Sequence, residues 1–154
     1  MKSLNGLKKV LAEKIVPAKA MGIDAVSWRD GCLTLTAPLN ANVNDKGTAF
    51  GGSIYSLAVL CGWGTVFQVL TDAGIAADIA VYKSECNFMI PSTGEMKAVC
   101  YISEVDKLKL LDSFMKKGRG RVFLNVEVFS KAEKVSSFSA SYAVRPKNSI
   151  GRRA

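Results

Sequence analysis

The chain contains no histidine among its 154 residues. That gap removes Ser-His-Asp and Cys-His nucleophile arrangements, an HExxH zinc site and every histidine general base. Any chemistry must use carboxylates, amides, hydroxyls, backbone N–H groups or lysine. Paired cysteines are missing too: Cys32, Cys61, Cys86 and Cys100 are widely spaced, with no CxxC. So placed, they read as small buried hydrophobes in a reducing compartment, and neither a disulfide framework nor a metal site is expected. No repeat, low-complexity tract or linker-like run divides the chain. One domain is expected over 1–154, with a helix within 1–20 and a basic tail over 146–154. Charges interrupt every apolar stretch of "MKSLNGLKKVLAEKIVPAKA", so no signal peptide is expected and the cytoplasm is the expected compartment.

Positive charge is what the chain has in excess, with 21 Lys+Arg against 13 Asp+Glu and a formal net charge of +8. Such a balance favours anionic partners. The cations fall into Lys8/Lys9, a middle group from Lys107 to Arg121, and a tail from Arg145 to Arg153. Aromatic residues do not interleave with "KKGRGR" in the middle group, so no nucleic-acid partner is expected.

Periodicity divides the chain. Leu4, Leu7, Leu11 and Ile15 recur at spacings of three and four, which predicts an amphipathic helix over 3–16 stopped by Pro17. Asp30-Gly31 is a hairpin signal between two alternating runs, 23–29 and 32–37. From Ile54 to Leu70 the chain is almost wholly apolar. Gln68, Thr65, Ser56 and two glycines interrupt it and strands flank it, so a buried central helix is expected rather than a membrane span. Strands are predicted over 77–90, 95–104, 121–131 and 134–145, where Met96, Ala98, Cys100 and Ile102, then Val122, Leu124, Val126 and Val128, alternate. Between the second and third of these lies a basic amphipathic connection, "DKLKLLDSFMKKGRGR". Six strands or so, most joined by short turns, with one long helix after the second, make an α+β fold rather than a βαβ repeat.

The densest polar cluster, "NANVNDKG", stands directly before the most apolar segment. Asn, Asp and Gly in such density make turns. The glycines that follow, Gly51 and Gly52, lack Cβ atoms and allow close approach to the backbone. They stand where a helix would begin, its first N–H groups unpaired and its end partly positive. Ser53 is the expected N-cap.

These phrases carry a resemblance. "NDKGTAFGGSIYSLA" looks like the start of the central helix in hot-dog thioesterases, and "NFMIPSTGE" resembles their Pro-x-x-Gly corner. "PLNANVNDKGTAFGGSIYSLAVLCGWG" is similar to the thioesterase-like domain found alone or at the C-terminus of the YiiD acetyltransferase. The resemblance implies an antiparallel sheet wrapped around one long helix, acting on acyl-CoA or acyl carrier protein thioesters. Coenzyme A or phosphopantetheine would enter only as part of the substrate. A homodimer or a dimer of dimers is also implied, an exposed edge strand agreeing with it. The N–H of Gly51, or of Gly52, would polarise the thioester carbonyl, with Asn44 orienting substrate or water and Asp45 in a catalytic role. Asn42, Thr48, Phe50, Ser53 and Ser56 would meet the substrate. Tyr55 and Trp63 are candidates for the acyl pocket, core packing being the stronger expectation for Trp63. Lys116, Lys117, Arg119 and Arg121 would face coenzyme A phosphates or an acidic carrier protein.

One departure from the relatives bears on the reaction. Many hot-dog thioesterases carry a carboxylate two turns into the central helix, where this chain has Val59 between Ala58 and Leu60. Hydrolysis then needs a base from elsewhere, Asp45 or a second subunit's Glu85, or forfeits a factor of roughly 10²–10⁴. Decarboxylation of a malonyl thioester needs no base, and the closer subgroup is associated with converting malonyl-ACP to acetyl-ACP. Three functions therefore stand: thioester hydrolysis, malonyl decarboxylation, and acyl-thioester binding without turnover.

Overall fold

A computed structural model of the chain describes residues 3–148; the end of the basic tail lies outside them. Six strands form one antiparallel sheet in the order β1-β2-β4-β5-β6-β3. They are β1 (Asp24–Arg29), β2 (Cys32–Ala37), β3 (Ala77–Phe88), β4 (Met96–Tyr101), β5 (Gly120–Ser130) and β6 (Glu133–Pro146). The inner face is lined by alternate residues such as Leu33, Leu35, Met96, Ala98, Cys100, Val122, Leu124 and Val126, all buried. Against it lies one long helix, α3 (Gly51–Asp72), which packs on β2, β3, β4, β5 and β6. This is the hot-dog architecture. By length and composition α3 could cross a bilayer, but Leu57, Ala58, Cys61, Val66 and Val69 are fully buried against the sheet.

Three elements differ from expectation. The N-terminal helix is two helices, α1 (Asn5–Glu13) and α2 (Val16–Ala20). Pro17 sits in the first turn of α2, where its missing N–H has no intrahelical partner to lose, so it starts a helix instead of stopping one. Central helix α3 begins three residues earlier than Ile54, with Gly51 as its first residue. The basic connection is a full helix, α4 (Glu104–Lys117), and β4 ends at Tyr101 to make room for it. Ser103 caps α4: its hydroxyl accepts the Asp106 N–H at 3.0 Å. Glu104 and Asp106 occupy the first turn, Lys116 and Lys117 the last, and left-handed Gly118 closes it.

Polar bonds fix α3 to its surroundings along its length. Tyr142, fully buried on β6, donates to the Val59 carbonyl at 2.8 Å, and burial raises its pKa far above the usual tyrosine range. A Cβ on Gly62 would lie 2.2 Å from that same hydroxyl, so glycine is required there by the close approach of β6. Trp63 Nε1 donates to the Ile79 carbonyl at 3.3 Å while its ring stacks on Phe67 at 5.2 Å; its role is in packing. Gln68 Nε2 reaches the Ser3 carbonyl at 3.2 Å, and Trp28 Nε1 donates to Asp72 at 2.9 Å. The cysteines form no disulfide among the described residues. Burial pushes the Cys100 thiol up to about 12 and that of Cys61 well above its ordinary value, so both stay protonated at neutral pH.

Candidate functional site

The loop 38–50 delivers the chain to the start of α3, and two asparagines shape it. Asn42 is almost wholly buried. Its Nδ2 donates to the Met21 and Pro38 carbonyls at 2.8 and 2.7 Å, and its main-chain carbonyl accepts the Phe50 N–H at 2.7 Å. It is a clamp between the loop, the end of α2 and the helix start, with no face toward solvent. Asn44 organises the tip: its Oδ1 accepts the N–H groups of Lys46 and Thr48 at 2.8 and 3.1 Å, and its Nδ2 donates to Thr48 Oγ1 at 3.0 Å. This is the Asx-turn chemistry of a tight loop. A second Nδ2 contact, to the Ala49 carbonyl at 3.5 Å, is at the limit of hydrogen bonding. Asp45 is exposed and pairs with its neighbour Lys46 at 3.3 Å.

The two phrases that stand out in the sequence meet here. The Ala49 N–H donates to the Ser92 carbonyl at 2.9 Å, so the Pro91–Gly94 corner props the last residues before α3. Ser92 is itself buried.

At the helix start the N-cap is Phe50, in extended conformation and with no side-chain cap bond. Ser53 is therefore not the cap: it lies two residues beyond Gly51, buried, inside the first turn. The Phe50 carbonyl accepts the N–H groups of Ser53 at 2.9 Å and Ile54 at 3.1 Å. Those of Gly51 and Gly52 have no hydrogen-bond partner among the described residues. The Phe50 ring lies over Gly52, where a Cβ would meet Cε2 at 2.4 Å, and Phe88 lies beside Gly51, 3.6 Å from its Cβ position. Phe50 and Phe88, both exposed, form an apolar rim beside these two donors, and exposed Met89 and Ile90 follow Phe88 in the chain. Ser56 returns its hydroxyl to the Gly52 carbonyl at 2.8 Å. The arrangement offers two backbone donors, a helix's positive end and apolar walls, which suits a developing oxyanion.

Asp45 in the loop is the carboxylate closest in the chain to the helix start. From Gly51 to Thr71 the helix has no acidic residue, and half-buried Val59 stands two turns into it. Glu85 lies on β3 between Ser84 and Cys86, which face α3, so its side chain points to the outer face of the sheet.

The basic group is also elsewhere in this chain. Phe88 is level with Ser136 and Val128 in the sheet, whereas Arg121 stands opposite Ala143 near the start of β5. About seven residues of strand, roughly 23 Å, separate the two levels. There Arg121 covers the Tyr82 ring at 5.2 Å, and Lys116 pairs with Asp112 at 3.1 Å.

Comparison with known proteins agrees with this architecture. Residues 4–146 match the family described as "Putative thioesterase (yiiD_Cterm)", and the chain belongs to that family. A protein of unknown function from Chlorobaculum tepidum is 30% identical, with 92% of this chain and 93% of that one aligned at a TM-score of 0.88. A "putative thioesterase" from Shewanella oneidensis is 28% identical over 93% and 97% of the two chains, with a TM-score of 0.85. A probable thioesterase from Pseudomonas aeruginosa, 20% identical over 94% and 96%, shares the fold at 0.80.

Proposed function

We propose that this member of the thioesterase family acts on acyl thioesters of coenzyme A or an acyl carrier protein, and that the Gly51 and Gly52 N–H groups bind the thioester carbonyl oxygen. The observation that carries the reading is the pair of unpartnered donors at an uncapped, glycine-lined helix start. In hydrolysis, water attacks the carbonyl carbon, negative charge gathers on the oxygen, and these donors stabilise it before the thiolate leaves. Each such donor contributes a factor of about 10²–10³. Asn44 holds the loop and offers its weakly used second Nδ2–H to the substrate or to the attacking water. Asp45 is the carboxylate nearest in the chain to that point, and Thr48 fixes Asn44 in place.

The lack of any carboxylate on α3 before its last residue, Asp72, favours a second reaction of the same site. A malonyl thioester that loses CO2 leaves its electron pair as an enolate on the thioester oxygen, held by the same two N–H groups. A proton taken up at carbon then gives the acetyl thioester, and no water need be activated. Mass spectrometry of the protein with malonyl-ACP, acetyl-ACP and a range of acyl-CoAs, beside Asn44→Ala, separates the possibilities. Free thiol lost in the variant establishes hydrolysis, and acetyl-ACP from malonyl-ACP with the thioester intact establishes decarboxylation. Binding without product in either assay leaves a non-catalytic acyl-thioester module.

The working unit we propose is a homodimer. Among the described residues strand β3 pairs only with β6, so its other edge is open, and exposed Val81, Tyr82 and Phe88 lie along it. Antiparallel pairing of two whole β3 strands sets Phe88 of one copy beside Ala77 of the other. That brings the second copy's Lys116, Lys117, Arg119 and Arg121 toward the first copy's site, where they can meet the phosphates of the substrate or an acidic carrier.

A further inference from the structure

The seam between α3 and the open-edged strand β3 is crossed by polar bridges at successive depths. Nearest the helix start, the Tyr55 hydroxyl hydrogen-bonds the Ser84 hydroxyl. The Tyr55 ring is held there edge-on to Phe138, centroids 5.5 Å apart at 83°. Deeper, Trp63 closes on the Ile79 carbonyl, and between the two levels Tyr142 of the neighbouring strand β6 closes on the Val59 carbonyl. Above the first bridge nothing comparable spans the seam among the described residues: Gly51 has no side chain, and Phe88 stands beside it in van der Waals range.

Gly51 and Tyr55 are four apart, so they share one helix face. An acyl chain whose carbonyl oxygen rests on the Gly51 N–H and which continues into the protein along this face runs into the Tyr55–Ser84 bridge. Resting on the carbonyl placement proposed above, we infer that this bridge is a chain-length stop, making the site selective for short acyl groups. Four residues of helix rise about 6 Å, enough for an acyl group of about four carbons. Further carbons would have to break a hydroxyl pair that is half-buried and braced by Phe138, or leave the seam for solvent.

The test is a chain-length series. Acetyl, butanoyl, octanoyl and dodecanoyl thioesters would be assayed by kcat/KM with the wild-type protein and with Ser84→Ala, Tyr55→Phe and Tyr55→Ala. Binding of the matching non-cleavable thioethers would be measured in parallel by calorimetry. The wild type should favour acetyl or butanoyl over octanoyl by about tenfold or more, the scale on which a pocket discriminates hydrocarbon length. Tyr55→Ala should remove most of that preference by raising the longer substrates. Tyr55→Phe and Ser84→Ala, which keep a ring across the seam, should lower it only in part. Should Tyr55→Ala not fold, Tyr55→Leu, which keeps an apolar contact to Phe138, takes its place. A wild-type profile that is flat or favours long chains, or one that Tyr55 truncation leaves unchanged, overturns the stop. Turnover absent while thioether binding keeps the short-chain preference and its Tyr55 dependence would sink the hydrolytic reading and uphold the stop. Neither turnover nor binding would overturn both.

Discussion

Two helices in this chain begin in opposite ways. Helix α4 starts on Ser103, whose hydroxyl takes the Asp106 N–H, and carries Glu104 and Asp106 in its first turn. Its positive end is satisfied. Helix α3 starts on Phe50 with no side-chain cap and no acid in the first turn, leaving the N–H groups of Gly51 and Gly52 without partners. A cap contributes about 1 kcal/mol, so a bare start is a cost the fold bears at α3 and avoids at α4. On the function proposed above, the difference separates a structural helix end from a functional one, and further substitutions can break or sharpen it.

The largest effect is expected from giving α3 the cap it lacks. Phe50→Asp places an acceptor and a negative charge at the helix start, which should stabilise the fold by about 1 kcal/mol. It should also occupy the Gly52 donor and repel an oxyanion, lowering kcat by about 10²–10³-fold. Thermal unfolding and turnover measured on one preparation check the opposed signs. Next is Gly62→Ala, at the locked middle of α3, where a methyl group would displace the Tyr142 hydroxyl from the Val59 carbonyl. Overpacking together with a lost buried hydrogen bond should cost about 3 kcal/mol, read from urea denaturation.

Asn44→Ala removes a loop organiser and a candidate substrate donor together. Stability should fall by about 1–2 kcal/mol, the scale of an unsatisfied loop hydrogen bond. Activity should fall by about tenfold or more at a temperature where the variant is fully folded, since the loop places the helix start. Smallest is Ser103→Ala, expected to cost about 1 kcal/mol of stability and to leave turnover unchanged.

Much of this was legible in the sequence, for identifiable reasons. Strands with strict alternation, such as 96–102 and 122–128, lie on a sheet with one buried face, which imposes a period of two, and they were placed to within a few residues. The polar cluster before the double glycine pointed to the helix start because composition changes abruptly where a turn meets a core helix. What the sequence concealed was local. Helix α4 carried its own signals, Ser103 with Asp106 three residues on and Gly118 after the last turn, but charge on its exposed face disguised it as a connection. Ser53 resembled a cap, yet the helix begins at the glycines because the Phe50 N–H is drawn to the buried Asn42 carbonyl, a contact eight residues away in sequence. The Tyr55–Ser84 bridge joins residues 29 apart, and no periodicity announces it.

The most direct measurement follows the amides of Gly51 and Gly52 by NMR in 15N-labelled protein as a non-cleavable ketone analogue of a butanoyl thioester is added. If these two N–H groups hold the carbonyl oxygen, their proton resonances should move downfield together and saturate with binding, while those of Glu104 and Val105 at the capped start of α4 stay in place. A bound analogue that leaves Gly51 and Gly52 unmoved and shifts amides elsewhere would contradict the assignment of the α3 start as the oxyanion site.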